Sequence, residues 1–295
     1  MLAAVWPTAW LPVDPTVASP AGRFVPPIPF GGSKWPDVLG TDALGRDILS
    51  MTVRGTRYTL IIVLGAAALG LVLGVIAGLV AGYVGGWQGT ILMRLADIQL
   101  AFPVLIVLIA VVAALGATVT NLVLVLGLAS WPSYARLVRG AVLSIREKEF
   151  IEAARALGFR QTRIVLRHIL PNVATPILVF ATLDLARLVL LEASLSFLGL
   201  GIPPPTPSWG SMIADSRQYL ELAPWASAIP GVAIVLVVLA FNFVGDELRD
   251  AADPRNTVFA EAIGSSPQDT MVFPELTQRD ETESALSIRE DRSST

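Results

Sequence analysis

Residues 59–82 read TLIIVLGAAALGLVLGVIAGLVAG, which is 24 positions without a charged side chain. A helix rises about 1.5 Å per residue, so about 20 apolar residues span the hydrocarbon core of a bilayer. Two more uncharged runs occur at 98–135 and 222–245, with 38 and 24 residues. These runs predict an all-α polytopic membrane protein rather than a water-soluble enzyme.

The composition agrees with a membrane location. Of the 295 residues, 54% are hydrophobic and 15% are charged, with a mean hydropathy of +0.65, whereas a soluble domain is about 25% charged. The chain contains no cysteine. Disulfides, thiolate metal sites and cysteine nucleophiles are therefore excluded.

The apolar segments predict five clear spans and one short N-terminal span. The run 98–135 is long enough for two spans that turn near 116–121. Residues 1–12 are apolar but interrupted by Pro7, so we interpret them as a partial first span, with an interfacial segment as the alternative. The five clear spans are 58–83, the two halves of 98–135, 172–191 and 222–245.

Glycines recur at every fourth position of the first clear span. Gly70, Gly74, Gly78 and Gly82 fall on one helical face. Small residues at this spacing let two membrane helices approach closely. We interpret this face as a packing surface rather than the wall of a pore.

Basic residues predict the sidedness of the loops, because lysine and arginine are enriched on the cytoplasmic side. The loop 193–221 carries only Arg217, whereas the loop 133–171 carries eight basic residues: Arg136, Arg139, Arg146, Lys148, Arg155, Arg160, Arg163 and Arg167. The loop 133–171 is therefore expected in the cytoplasm, and 193–221 outside.

This sidedness also predicts the domain organisation. Residues 13–57 form an external segment with an interfacial helix, residues 58–250 form the membrane core, and the C-terminus is cytoplasmic. Residues 256–295 hold eight acids against three arginines, which is typical of a disordered acidic tail.

The cytoplasmic loop has a helical pattern within 140–171. Ser144 and Glu147 match a capping box and predict a helix start near Ile145. An apolar stripe follows on one face, and Gly158 can supply the left-handed residue that ends the helix. The stripe, made of Phe150, Ile151, Ala154 and Leu157, packs either in a groove of a partner protein or on the protein's own spans. The sequence favours neither.

The same loop carries a resemblance to a known family. Glu152-Ala-Ala154, three residues, Gly158 and then Leu170-Pro171 resemble the E-A-A loop of inner-membrane permeases of binding-protein-dependent ABC importers. His168 stands where that pattern has isoleucine.

Four further blocks resemble the second permease subunit of the dipeptide, oligopeptide and nickel branch. They lie in family order over about 36–255: GTDALGRD (40–47), MRLAD (93–97) with Pro103, LSFLGLG (195–201) with PPPTPSWG (203–210), and NFVGD (242–246) with LRD (248–250) and DPR (253–255). The resemblance implies the transmembrane domain of a type I importer in a bacterial cytoplasmic membrane.

The resemblance implies partners and a coupling site. The expected partners are a second permease, two ATP-binding subunits, an external substrate-binding lipoprotein and membrane lipid, but no nucleic acid. The chain lacks a G-x-x-x-x-G-K-[ST] phosphate loop, so ATP and Mg²⁺ are expected on the partners, with no cofactor and no catalytic role in this chain. The implied ATPase-coupling residues are Phe150, Ile151, Glu152, Ala153, Ala154, Leu157 and Gly158, with Phe150, Ile151 and Leu157 as buried anchors.

Charged side chains in the fourth span suggest a second site. Asp184 and Arg187 are three residues apart and can pair on one helical face. Together with Glu192 they are candidates for lining the passage of a zwitterionic peptide, and a structural pair at the interface between permeases is the alternative. Outside the membrane, Pro205 and Trp209 are candidates for contacting the binding protein or for bracing their own loop.

The substrate implied by the resemblance is a di- or oligopeptide, with a nickel chelate or haem as the alternative. A stand-alone secondary transporter is more remote, because no repeated halves with interrupted helices are evident. An intramembrane protease is disfavoured because the single histidine, His168, lies in the cytoplasmic loop.

Overall fold

The structure is a computed structural model that describes residues 19–28, 31 and 37–252. The predictions for 1–12 and 256–295 fall outside these residues. Within the described part, nine α-helices form the fold, with short π and 3-10 turns and a single isolated bridge between Thr41 and Asp47.

In chain order, the α-helices are α1 (Ile48–Leu79), α2 (Gly86–Leu100), α3 (Val104–Leu115), α4 (Val119–Ile145), α5 (Glu149–Ala156), α6 (Gln161–Ile164), α7 (Leu170–Phe197), α8 (Trp209–Ser216) and α9 (Pro224–Ala252). A π-turn, Val80–Val84, extends α1, and another, Val165–Ile169, joins α6 to α7.

Three continuous helical segments in the described residues are long and apolar enough to cross a bilayer. They are Ile48–Val84, Gln161–Phe197 and Pro224–Ala251. The pair α2 and α3 makes a fourth if it counts as one span, although it bends by 89° at its break. The count of five spans stays a prediction.

The run 98–135 folds back on itself, but not as two straight spans. Its turn lies at 116–118, where Gly116 follows the end of α3 and Thr118 caps α4. Its first arm is broken between α2 and α3, because Pro103 has no N–H to continue a helix and disfavours helical geometry in Phe102. The predicted first arm of the hairpin is therefore wrong in shape.

The glycine ladder packs α1 against α4. A Cβ on Gly70 would lie 2.8 Å from the Ser130 Cβ, and one on Gly78 would lie 2.6 Å from the Val138 Cβ. Such distances are shorter than carbon atoms tolerate, so only glycine allows this approach. The predicted packing role of the ladder is confirmed.

The first helix begins ten residues earlier than expected. Asp47 caps α1 by accepting a hydrogen bond from the Ser50 N–H at 2.8 Å. Residues 48–57 therefore belong to α1. In the described part of 13–57, the only other helix is the 3-10 turn Pro20–Gly22, and the external segment with an interfacial helix stays a prediction.

Contacts between distant segments define two ends of the bundle. At the α8 end, the Trp209 Nε1–H donates to the Thr52 carbonyl at 3.0 Å, and the Phe24 and Tyr219 rings lie 5.0 Å apart. At the α5 end, Arg146 donates to the Gly82 carbonyl at 3.0 Å. The segments predicted to be external thus share one end of the bundle.

At the α5 end, the helix start predicted near Ile145 is not found. Helix α4 continues through Ser144 to Ile145, because Val142 and Ile145 are buried in one cluster, so the predicted capping box does not start a helix. The helical path also continues through Pro171, which lies in the first turn of α7. Proline has no N–H to donate to the preceding turn. The wider π-turn Val165–Ile169, which lies just before Pro171, accommodates this missing hydrogen bond.

Candidate coupling site and polar clusters

Helix α5 is short and its C-terminus is sharply defined. Gly158 has φ +75°, as the sequence predicts for a left-handed terminating residue. The Phe159 N–H donates to the Ala154 carbonyl at 3.2 Å, and the Gly158 N–H donates to the Arg155 carbonyl at 2.9 Å. This pair of bonds is a Schellman motif, which satisfies carbonyls that the helix end would otherwise leave free.

One face of α5 packs on the protein itself. Ile151 is fully buried and Ala154 is 5% exposed, in a cluster with Val142 of α4 and with Ile164 and Val173 from the α6–α7 segment. This burial anchors α5 between the ends of α4 and α7. The sequence left open whether the apolar stripe packs on a partner or on the protein's own spans. Its buried half, Ile151 and Ala154, packs on the protein's own spans.

The other half of the stripe is uncovered. Phe150 is 43% exposed and Leu157 is 74% exposed. Glu152, Ala153 and Gly158 are exposed as well. The expectation that Ile151 is an anchor for a partner is wrong, because its side chain is buried in the protein's own core. Phe150 and Leu157 remain available to a partner.

Aromatic contacts hold α5 and α6 at the end of α1. The Arg155 guanidinium lies 5.6 Å from the Tyr83 ring centroid, and the Tyr83 hydroxyl hydrogen-bonds the Gln161 side chain. The Arg163 guanidinium lies 4.6 Å from the Phe159 ring. Each cation–π contact contributes about 0.5–1 kcal/mol at exposed sites.

Asp184 and Arg187 form the ion pair that their spacing predicts. The Arg187 Nε–H donates to Asp184 Oδ1 at 2.9 Å, and its Nη2 donates to the Ser130 hydroxyl at 3.0 Å. The Asp184 side chain is fully buried, whereas that of Arg187 is 39% exposed. Only the arginine therefore presents surface to a passage or to a partner.

Glu192 does not line a passage in this structure. It is fully buried between α1 and α7 and accepts hydrogen bonds from the Thr59 hydroxyl at 3.1 Å and the Ser196 hydroxyl at 2.7 Å. Both carboxylate oxygens are engaged: the bond from Thr59 links α1 to α7, and the bond from Ser196 lies within α7. The prediction of a passage role for Glu192 is contradicted, because the residue has no exposed surface.

Trp209 is also internal. Its side chain is 1% exposed and lies against Gly55, where an added Cβ would be 3.3 Å from the indole. Contact with a binding protein is excluded in this conformation, because the indole fills the space between α1 and α8. Pro205, the second candidate, is exposed.

Sequence reasoning missed a polar contact between α2 and α4. Arg136 donates to Asp97 Oδ1 at 2.6 Å, with side chains 52% and 46% exposed. The Trp131 Nε1–H donates to the Gln99 side chain at 3.0 Å. The signal was present, since Asp97 and Arg136 are the charges that bound the run 98–135.

The block GTDALGRD is a closed loop that precedes α1. Asp42 Oδ1 accepts from the backbone N–H groups of Leu44 and Arg46 at 2.9 and 2.8 Å, and Asp42 Oδ2 accepts from the Arg46 guanidinium. Gly40 has φ +79°, and a Cβ there would collide with the Val25 carbonyl. The block therefore fixes the approach of the chain to the cap of α1.

The fold and the E-A-A segment define a helical membrane permease, and comparison with known proteins identifies the family. Residues 70–258 match the family described as "Binding-protein-dependent transport system inner membrane component". The chain belongs to this family, in which separate subunits carry the ATPase. The resemblance inferred from the E-A-A segment is confirmed.

Relatives of known name match most of the chain. It is 41% identical over 244 residues to the "Di/tripeptide transport system permease protein DppC" of Pseudomonas aeruginosa, covering 83% of this chain and 80% of that protein. It is 47% identical over 217 residues to the "Dipeptide transport system permease protein DppC" of Alkalihalophilus pseudofirmus, covering 74% and 71%. It is 46% identical over 217 residues to the "Glutathione transport system permease protein GsiD" of Shigella flexneri, covering 74% and 72%.

A solved structure supports the fold. A chain of the MetNI methionine ABC transporter, in an inward-facing conformation, matches with a TM-score of 0.58 and 23% identity. The match covers 70% of this chain and 98% of that chain. The predicted fold class, an all-α importer membrane domain, is supported at this level.

Proposed function

We propose that this chain moves di- or oligopeptides across the bacterial cytoplasmic membrane as one of two permeases in an ATP-driven importer. The two ATP-binding subunits couple to it through α5, and an external lipoprotein delivers the peptide. The C-terminus is proposed to be cytoplasmic, because lysine and arginine place the loop 133–171 inside and two further predicted spans follow it.

The geometry of α5 is the observation that supports this coupling role most strongly. Ile151 and Ala154 bind α5 to the ends of α4 and α7, while Phe150 and Leu157 stay exposed. A helix that is anchored on one face and open on the other can transmit displacement of a partner into the spans. An apolar helix face placed in a groove is a common recognition mode.

Arg187 supports a peptide as the substrate. Every peptide with a free C-terminus has a carboxylate, which pairs well with a guanidinium. Asp184 and Ser130 orient the Arg187 guanidinium and leave part of it exposed. The names of the dipeptide and di/tripeptide relatives favour the same substrate class.

The exposed Asp97–Arg136 pair supports a protein partner within the membrane. Charged side chains at membrane depth usually face a bundle interior, a water-filled cavity or another polar group rather than lipid. We infer that this face of α2 and α4 turns toward the second permease or the passage between the two.

The test is reconstitution of the four-subunit complex in proteoliposomes with its binding protein. ATP-dependent accumulation of a radiolabelled dipeptide such as Ala-Phe supports the proposal. A Leu157→Asp variant should insert normally but lose the ATPase subunits on purification, whereas Leu166→Asp, also exposed but outside α5, is the matched control. Retention of the ATPase subunits by Leu157→Asp would contradict the coupling role of α5.

A further inference from the structure

Two cavities adjoin at the α8 end, outside the coupling site and away from Arg187. One has a volume of about 360 Å³ and lies between the GTDALGRD loop and α8. The other, of about 580 Å³, lies below the loop of prolines at 203–207. Arg46, Asp215 and Arg217 line both cavities, so the two cavities share one set of charges and together make up the candidate site. Small-molecule sites usually measure about 300–1,000 Å³.

The charges of this site are unequally paired. Arg46 is held by Asp42 at 2.6 Å and reaches Asp215 only at 3.7 Å. The Asp215 side chain is 69% exposed. Within the described residues, Arg217 has no carboxylate at ion-pair distance. One acid and one base of the site are therefore available to a ligand.

The electrostatic environment of Asp215 favours an added cation. Partial burial raises the pKa of this carboxyl, Arg46 opposes the rise, and Asp42 adds to it. A charged carboxylate at this place is thus incompletely compensated by its neighbours. An ammonium group beside Asp215 would supply the missing compensation.

The walls of the smaller cavity suit varied apolar side chains. Met51 and Met212 are 4% and 5% exposed and line it together with the Phe24 and Tyr219 rings. Methionine is unbranched and adapts its shape to different partners, which is why it is common at promiscuous binding surfaces. The site combines fixed charges with an adaptable apolar wall.

We propose that this cavity is an external peptide subsite, in which Arg217 binds the C-terminal carboxylate and Asp215 binds the N-terminal ammonium of a short zwitterionic peptide. The methionine and aromatic walls accept its side chains without strong selection. All such peptides share a charged N-terminus and a charged C-terminus. A site that binds these two groups recognises short peptides as a class, whatever their sequence.

This inference rests on the proposed function, since it names the substrate class of the same transport reaction. Its failure is distinguishable: ATP-driven uptake delivered by the binding protein tests the proposed function, whereas direct binding of free peptide to the permease complex tests the subsite. A complex that imports Ala-Phe but binds none of it at the α8 end refutes only the subsite.

The experiment uses the assembled complex in nanodiscs without the binding protein. The probe is Ala-(4-fluoro-Phe), followed by fluorine NMR, with its N-acetylated and C-amidated forms for comparison. We expect Arg217→Gln to weaken binding of the free dipeptide about tenfold, the loss expected for one charge-assisted contact. The same variant should not weaken binding of the amidated form, which lacks the carboxylate. Asp215→Asn should likewise weaken binding of the free dipeptide. It should not weaken binding of the N-acetylated form, which lacks the ammonium group.

Arg160→Gln, an exposed arginine at the opposite end, is the matched control and should bind all three forms as the unmodified complex does. Equal weakening of free and amidated dipeptide by Arg217→Gln would refute the assignment of the carboxylate. The binding protein is then added back to the same nanodiscs. If Arg217→Gln binds the dipeptide normally but no longer docks the binding protein, the proposal is also overturned, because the cavity would then be a protein-docking surface.

Discussion

Replacing Gly158 by valine tests whether the end of α5 transmits ATP hydrolysis to the spans. Gly158 has φ +75°, and an added Cβ would meet no atom within 4 Å. The substitution therefore strains the backbone without creating a clash. A residue with a Cβ is destabilised by about 1–2 kcal/mol when it adopts this left-handed, positive-φ conformation, and a β-branched residue is destabilised the most.

This strain is comparable to the interactions that hold the end of the helix. The two hydrogen bonds of the Schellman motif, donated by Gly158 and Phe159, contribute about 0.5–1.5 kcal/mol each. A penalty of about 2 kcal/mol changes a conformational equilibrium about thirtyfold. We expect the native turn after α5 to become a minor state in Gly158→Val. Alanine at this position should have a smaller effect than valine, and asparagine the smallest effect of the three.

The assay measures ATP hydrolysis and Ala-Phe uptake in proteoliposomes, with membrane levels of the subunits measured beside them. Gly158→Val should insert normally and lose most ATP-coupled uptake. Gly199 provides a matched control, because it has φ +80°, no atom within 4 Å of its Cβ position and the same hydrogen-bond pattern at the end of α7. Gly199→Val should retain the ATPase subunits. Normal uptake by Gly158→Val would refute the role assigned to the end of α5.

Three further predictions concern packing, anchoring and the passage. Gly74→Ala should destabilise the protein by about 1–3 kcal/mol, because the added methyl group overlaps with α4. Gly140→Ala, with nothing within 4 Å of its Cβ position, should stabilise it by up to about 1 kcal/mol. Thermal unfolding in detergent measures both variants, and equal effects would contradict the packing role of the glycine ladder. Ile151→Ala should cost about 2–5 kcal/mol in the same assay, while Leu157→Ala should change stability by less than about 0.5 kcal/mol yet reduce co-purification of the ATPase subunits. Arg187→Gln should lower dipeptide uptake at unchanged assembly, measured by transport and size-exclusion chromatography, and wild-type uptake would favour a purely structural ion pair.

The α5 segment shows how far local sequence patterns can be interpreted. The positive φ of Gly158 was predictable, because a glycine after a helical stripe has few other uses. The start of the helix was not predictable from Ser144 and Glu147. The preceding helix α4 extends through that position because its buried residues gain more from packing than a local cap can contribute.

The polar residues show the same contrast between pattern and packing. The spacing of Asp184 and Arg187 determined their pairing, because residues three apart on a helix are neighbours. The spacing could not show that Glu192 is sealed between α1 and α7, or that Trp209 fills the space beside Gly55. Those outcomes depend on which helix faces come together.

The sequence by itself determined the helical membrane class, the packing face of the glycine ladder and the family motif, because each is set by residues close together in the chain. Only the tertiary structure decided that Phe150 and Leu157 remain exposed while Ile151 is buried, and that Arg46, Asp215 and Arg217 line two neighbouring cavities. Burial and the meeting of distant charges depend on contacts between segments far apart in the chain. The physical reason is that hydrophobic burial is non-directional: an apolar stripe shows that a face will be covered, but not by what.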